Sequence, residues 1–336
     1  MHAPALDHHR FTRGTPKEQR AYAAELIQAL KAHSLVKIVN HGLDDPTIEE
    51  LFTRMQQFFA LPRHRQQEVE HLASDNPQRG WSAVGVEQTS GLYSRETGRP
   101  VDELKDAKEH YDIGPPDDAQ FQNQWLNNDV LPGWQSFMED YWYKCQDVAL
   151  SVISVIEMGL NVPQGTIQDL CHPAASEVRL NHYPAIHSSD ISDGSTARIW
   201  PHTDFGIITL LLTDDVGGLE FEESHNSGKF LPIPQGAKNE LIINVADTLE
   251  RWTNGTLKAG MHRVMQPVST NLGEKTLIQE RWSVPYLFKA RRDALVGALP
   301  EFVTPQVPSA YDSITALDFQ LRRQHQVYTN AQLARQ

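Results

Sequence analysis

His202 and Asp204 stand two residues apart in WPHTDFGIITLLLTDDVGGLEF, residues 200–221, at the entrance to the apolar run 207–212. Charged groups beside a core-building strand are costly unless something pairs with them. A metal ion is one such partner, and a surface turn is the bland alternative. The chain contains a second His-x-Asp, His110 and Asp112. In a strand, side chains two apart share a face, so either pair could hold two corners of one metal site. The pair at His202 has the more telling setting: it sits at the mouth of an apolar strand, and the run MHRVMQP downstream offers His262 as a third ligand. Two imidazoles and one carboxylate on one face of an octahedron describe a non-haem iron(II) triad with three positions open. Zinc is the chemical rival, though it would usually call for a nearby general base.

Further on, QERWSVPYLF places Arg281 and Ser283 two apart on a strand, within an apolar run. A guanidinium keeps its charge, so one inside a sheet interior needs an anionic partner. A carboxylate held by Arg281 and the Ser283 hydroxyl is a natural solution. An arginine paired with a structural Asp or Glu is the plainer reading.

These residues need elements to carry them. Tyr22, Leu26, Ile27 and Leu30 share one helical face, followed by the short strand-like run SLVKIVNHG. Asp44 or Asp45 can cap a helix with Pro46 in its first turn and Ile48, Leu51, Phe52, Met55, Phe58 and Phe59 as its stripe. A longer helix is expected from Trp134, Met138, Tyr141, Cys145, Val148, Val152 and Ile156. From about residue 176 the texture changes to short runs between turn residues, VRLNHYP, GIITLLL, GLEFEE, KFLPIP, ELIINVAD, MHRVMQP and ERWSVPYLF, which imply a β-sandwich or jelly roll. ITALDFQLRRQHQVY reads as a closing helix, and residues 95–118, rich in Pro and Gly, as a long excursion over the surface.

Composition bounds the partners. At 336 residues the chain could form one large domain or two ordinary ones. A formal charge of -13 argues against a nucleic-acid backbone or an anionic membrane as the main partner, which leaves small molecules. Only Cys145 and Cys171 are present, too few for a disulfide framework or a thiolate metal site. With no apolar signal core and no run of about 18 apolar residues, the expectation is a soluble, cytoplasmic monomer.

Taken together, the site residues resemble the isopenicillin N synthase-like family of iron(II)- and 2-oxoglutarate-dependent oxygenases. That family's pattern is His-x-Asp, a distal His, then Arg-x-Ser, on a double-stranded β-helix. The matching positions are His202, Asp204, His262, Arg281 and Ser283, and RLNHYP matches the family's Asn-x-Tyr strand, placing Asn181 and Tyr183 in the co-substrate pocket. VNHGL, FFALP and KEHYDIG match more loosely. The resemblance implies an α+β fold with a mainly β core, a jelly roll flanked by N-terminal and C-terminal helices. It divides the chain into residues 1–175, a helical region with a few strands, 176–291, the jelly-roll core, and 292–336, a C-terminal helical segment. It also implies Fe(II), 2-oxoglutarate and O2, with Arg281, Ser283 and Tyr183 on the 5-carboxylate. The expected reaction is oxidative decarboxylation coupled to C–H oxidation of a small organic molecule in secondary metabolism.

His110 and Asp112 fall in the family's KExxxIG segment, which resembles a strand beside the active site but supplies no ligand, and Arg263 is expected to face away from the site. The gap between His262 and Arg281 is longer than in plant members, with VSTNLGEKTLIQ as an extended hairpin, as in fungal members of secondary metabolism. Trp81, Tyr111, Ile199 and Phe221, with the loop GWSAVGVEQTSGLYS, are the expected substrate contacts for an apolar or mixed molecule, each equally readable as packing. Two rivals share the fold. A 2-oxoglutarate-independent oxidase would use Arg281 for a substrate carboxylate, and a non-catalytic jelly-roll binding protein would lose a ligand. The intact set of positions argues against the latter.

Overall fold

The computed structural model describes residues 5–71, 76–90, 104–192, 194–234, 236–237, 239–267 and 276–327. The first long helix, Pro16–His33, starts where Thr15 accepts from the Glu18 amide while the Glu18 side chain takes the Thr15 N–H, a reciprocal cap. It ends on Ser34 in the left-handed conformation, φ 57°, which turns the chain directly into the strand Leu35–Val39. Asp44 caps the helix Asp45–Phe59 by accepting from the Thr47 amide at 2.9 Å. The third, Trp134–Leu160, runs 27 residues to Asn161. All three bury the stripes expected of them, with Phe52 half-buried at the margin.

Two sheets face one another. The larger has eight strands, in spatial order Ala5–Asp7, Leu35–Val39, Leu241–Val245, Ile208–Thr213, Arg281–Phe288, Glu177–Tyr183, Glu109–Ile113 and Gly80–Ser82. Only its first pair is parallel. The smaller has four, Phe230–Pro232, Leu219–Glu222, His262–Val264 and Ile199–His202. Strand alternation sorts the residues between two cores. Val36, Leu210, Leu212, Ile243, Val284 and Tyr286 pack toward the helices, together with Tyr22, Leu26, Trp134 and Val152. Their neighbours Leu35, Leu211 and Ile242 point the other way and meet Ile199, Leu219, Phe221 and Val264 of the small sheet. The molecule is therefore layered helix, sheet, sheet, with the jelly-roll interior between the sheets and the helices outside.

One expectation fails. Of the segment read as a surface excursion, residues 95–103 lie outside the described part, but Lys105–Asp106 pairs with Thr196–Ala197, and Glu109–Ile113 is an inner strand of the large sheet. Its polar side chains mimic a solvated face in sequence, yet all five residues of Glu109–Ile113 are buried because other charged groups meet them. Of the long hairpin after His262, residues 268–275 are outside the described part, and Leu277–Ile278 pairs with Ile186–His187. The closing helix is Ala316–Gln324, capped by Thr315.

Candidate active site

His202 ends one strand of the small sheet and pairs with His262 on the next, so sheet register alone sets the two imidazoles side by side, ring centroids 4.3 Å apart. Asp204 lies two residues on, in the turn leading to the apolar strand Ile208–Thr213, and its backbone carbonyl accepts from the Asp247 N–H at 2.9 Å. His202 Nε2 and His262 Nε2 stand 4.0 Å and 3.9 Å from Asp204 Oδ1, and one ligand atom from each residue lies within 4.8 Å of the others.

The remaining polar atoms of this trio are already engaged. His202 Nδ1 contacts the Trp200 carbonyl at 2.8 Å and His262 Nδ1 the Gly260 carbonyl at 2.9 Å. A carbonyl only accepts, so both rings carry a proton on Nδ1 and turn Nε2 toward Asp204. Asp204 Oδ2 accepts from Thr209 Oγ1 at 2.6 Å and Asn244 Nδ2 at 3.0 Å, which leaves Oδ1 facing the imidazoles. Burial, then the neighbouring His262, pushes the His202 imidazole down to about 3, so it is neutral. Burial alone would raise the Asp204 carboxyl, but His262, His202, Thr209 and Asn244 together hold it below the usual carboxylate range. Two imidazole Nε2 atoms and a carboxylate Oδ1 converging in one place are the donor set of a divalent metal with its orienting partners in place.

The second half of the site lies on the large sheet. Arg281, 1% exposed, donates through Nε to the Gly217 carbonyl at 2.9 Å, while its buried Nη1 has no hydrogen-bond partner among the described residues. Its guanidinium lies over the Tyr183 ring, 4.8 Å from the centroid, and Tyr183 Oη is 3.2 Å from Ser283 Oγ. Register places Arg281 opposite Tyr183 and Ser283 opposite Asn181. These four residues and the triad line one cavity. A buried cation with a spare N–H fits the distal carboxylate of a co-substrate that reaches the metal with its other end.

Other expected contacts divide by strand parity. Ile199 lines the cavity, and Phe221 stacks on His262, centroids 5.0 Å apart, as its backing. Trp81 and Tyr111 are not among the described residues that line the cavity. Tyr111 alternates with inward-facing His110 and Asp112, and packs on Phe58 and Trp134; Trp81, its register partner, donates to Glu109 Oε2 at 3.1 Å beneath Arg63. Residues 91–94 of the Trp81 loop lie outside the described part. His110 and Asp112 belong to an ion-pair network with Glu87 and Arg179, away from the triad. Arg263 pairs with Glu220 and covers Phe230.

Sequence reasoning missed a set of charged and polar residues on the cavity wall, notably Glu87, Lys108, Arg179, Lys289, Gln320 and Gln324. The signal was available: Glu177, Arg179 and Asn181 alternate on one strand, Lys108, His110 and Asp112 on its neighbour, and Gln320 and Gln324 lie one helical turn apart.

Profiles of two families match the chain, non-haem dioxygenase in morphine synthesis N-terminal over residues 3–128 and 2OG-Fe(II) oxygenase superfamily over residues 175–290. The chain belongs to the 2-oxoglutarate–iron(II) oxygenases. This oxygenase is 44% identical to the 2-oxoglutarate-dependent dioxygenase imqE of Aspergillus flavus, over 98% of this chain and 96% of that one. It is 36% identical to proline hydroxylase buaE of Petromyces alliaceus, over 98% and 100%. Among solved structures, a full-length Neurospora crassa protein in complex with alpha-KG and thymine superposes with a TM-score of 0.85 at 26% identity, covering 97% of each chain. The oxygenase is thus an Fe(II)- and 2-oxoglutarate-dependent dioxygenase that uses O2 to oxidise a C–H bond of a small organic molecule.

Proposed function

We propose that His202, Asp204 and His262 hold the iron, that Arg281, Ser283, Tyr183 and Asn181 receive 2-oxoglutarate, and that the substrate is a small polar molecule. The observation that carries the assignment is the buried, unpartnered Nη1 of Arg281 in the same cavity as three convergent, pre-oriented ligand atoms. Iron, when bound with 2-oxoglutarate and O2, supplies an oxidant able to take hydrogen from an unactivated C–H bond. The chain's own residues orient and shield. Thr209 and Asn244 fix the Asp204 carboxylate, the Trp200 and Gly260 carbonyls fix the two rings, and the C-terminal helix places Gln320 and Gln324 over the cavity. Such a wall keeps bulk water from the reacting centre.

The charged groups among the lining residues lend this reading its polar side, beside apolar Ile199, Leu211 and Val264. Support comes also from relatives that act on or bind small polar molecules, the one named a proline hydroxylase and the one with thymine bound. On this reading residues 176–291 are the oxygenase core, residues 1–175 and 292–336 pack on it, and the product belongs to secondary metabolism. The reading keeps a monomer in the cytoplasm, and the two buried free thiols suit that reducing compartment. The test is incubation of anaerobically purified protein with iron(II), 2-oxoglutarate and O2. Succinate must form, and it must not form when His262 is Ala. Turnover of a C–H substrate without succinate would favour the 2-oxoglutarate-independent oxidase.

A further inference from the structure

We propose that Lys108 anchors a carboxylate of the substrate, which makes this enzyme an oxidase of small organic acids. The inference rests on the site assignment above and names the substrate end of the same cavity.

Sheet register gives the position. Glu109 pairs with His182, so Lys108, one residue earlier, comes level with Tyr183, which itself stands opposite Arg281. Lys108, Tyr183 and Arg281 thus form one row across the inner face, with an ammonium at one end and the guanidinium assigned to 2-oxoglutarate at the other. Lys108 and His202 line the same cavity.

Hydrogen-bond accounting separates Lys108 from the other cations of the wall. Arg179 is consumed by Glu87, Asp112 and Gln78, and Lys289 bonds to Glu177. Lys108 is 3% exposed, and its three-donor ammonium makes one described bond, to Glu87 Oε2 at 3.3 Å. Glu87 also accepts from Arg179 through both oxygens, at 3.1 Å and 2.9 Å, so Lys108 shares this carboxylate with a guanidinium. The other nearby carboxylate, Asp106, is held by the Thr89 hydroxyl and the Ser90 amide. A buried ammonium on a cavity wall, with two N–H donors beyond its one described bond, can receive an incoming carboxylate. Arg281 is not available for that role if it holds 2-oxoglutarate, so the two cations divide two different carboxylates between them.

The experiment uses the full-length iron(II) protein under anaerobic conditions. 2-Oxoglutarate is titrated first into wild type, Lys108→Met and Lys108→Gln, following the absorption that chelation produces. All three should titrate alike, which also shows that the variants are folded. The twenty proteinogenic L-amino acids are then added as probe acids, each beside its carboxamide, reading perturbation of the absorption band and, with O2, succinate release. At least one acid should perturb the band and raise succinate while its amide responds at least about tenfold more weakly. Lys108→Met and Lys108→Gln should weaken the response to that acid by roughly 30-fold or more, the lower range for removing one partner of a buried charge pair. Lys108→Arg should restore part of it. An amide as effective as its acid, silence from every acid, or a Lys108→Met that responds as wild type would each overturn the inference. So would a Lys108→Met whose loss falls on 2-oxoglutarate, because the ammonium would then serve the co-substrate. A wild type with no chelation band removes the site assignment itself, and this inference with it.

Discussion

Thr209 and Asn244 decide which oxygen of Asp204 faces the two imidazoles, since both donate to Oδ2 and leave Oδ1 bare. Thr209→Val keeps the side chain's shape and removes the hydroxyl, so Asp204 should lose its fixed pose. The expected outcome is iron binding weakened by about 10–100-fold, the usual effect of losing a ligand's orienting partner, with the fold intact. Iron titration alongside circular dichroism reads both. Removing a ligand outright is harsher: His202→Ala, Asp204→Ala and His262→Ala should each abolish turnover. His110→Ala should leave iron affinity nearly unchanged, because its ring lies between Glu87 and Asp112 at 3.1 Å and 3.2 Å rather than in the triad. A His110 variant that cannot hold iron would mean the pair at His110 and Asp112 is the true ligand pair.

At the scale of elements, strand parity does most of the sorting. On Glu109–Ile113, Tyr111 turns to the helix side while His110 and Asp112 turn inward; on Arg281–Phe288, Arg281 and Ser283 turn inward while Trp282, Val284 and Tyr286 turn to the helices. Trp81 is 1% exposed, lies outside the described lining of the cavity and packs against Arg63 and Glu109. Trp81→Ala should cost roughly 3–5 kcal/mol of stability by denaturant unfolding while 2-oxoglutarate chelation stays as in wild type. A selective loss of chelation or turnover without loss of stability would put Trp81 back in the pocket. The helices and most strands were legible because their apolar periods are long or bounded by turn residues: Asp44, one of the two expected caps, caps its helix, and the pair Arg281, Ser283 stands on a strand. The strand Glu109–Ile113 was misjudged as surface, since a sequence shows alternating charge but not the partner charges that allow it to be buried. The same blindness hid the polar wall of the cavity, whose members come from strands, loops and the C-terminal helix far apart in sequence.

For the whole molecule, burial of neutral histidines predicts acid lability. Burial pushes His8 and His110 down to about 4 from 6.5, and it lowers His41 and His71 as well. The unfolded chain takes up protons on these groups first, so stability is lost as pH falls from 6.5 toward 4. Asp106 and Asp247 act in the opposite sense, since burial raises them to about 6 and their contribution falls as pH rises toward that value, but the histidines outnumber them. The melting temperature of the iron-free protein should drop between pH 7 and pH 5, and a flat or rising profile would contradict this balance. The central claim joins the two sheets: the small sheet and its following turn supply the iron ligands, and the large sheet holds the far end of 2-oxoglutarate through Arg281. One titration reads both. When 2-oxoglutarate is added anaerobically to the iron(II) protein, wild type should develop the metal-to-ligand absorption of chelation, His262→Ala should develop none, and Arg281→Ala should require at least about 30-fold more co-substrate, the equivalent of roughly 2 kcal/mol. A wild type without that band, or an Arg281→Ala protein that titrates as wild type does, would contradict the account.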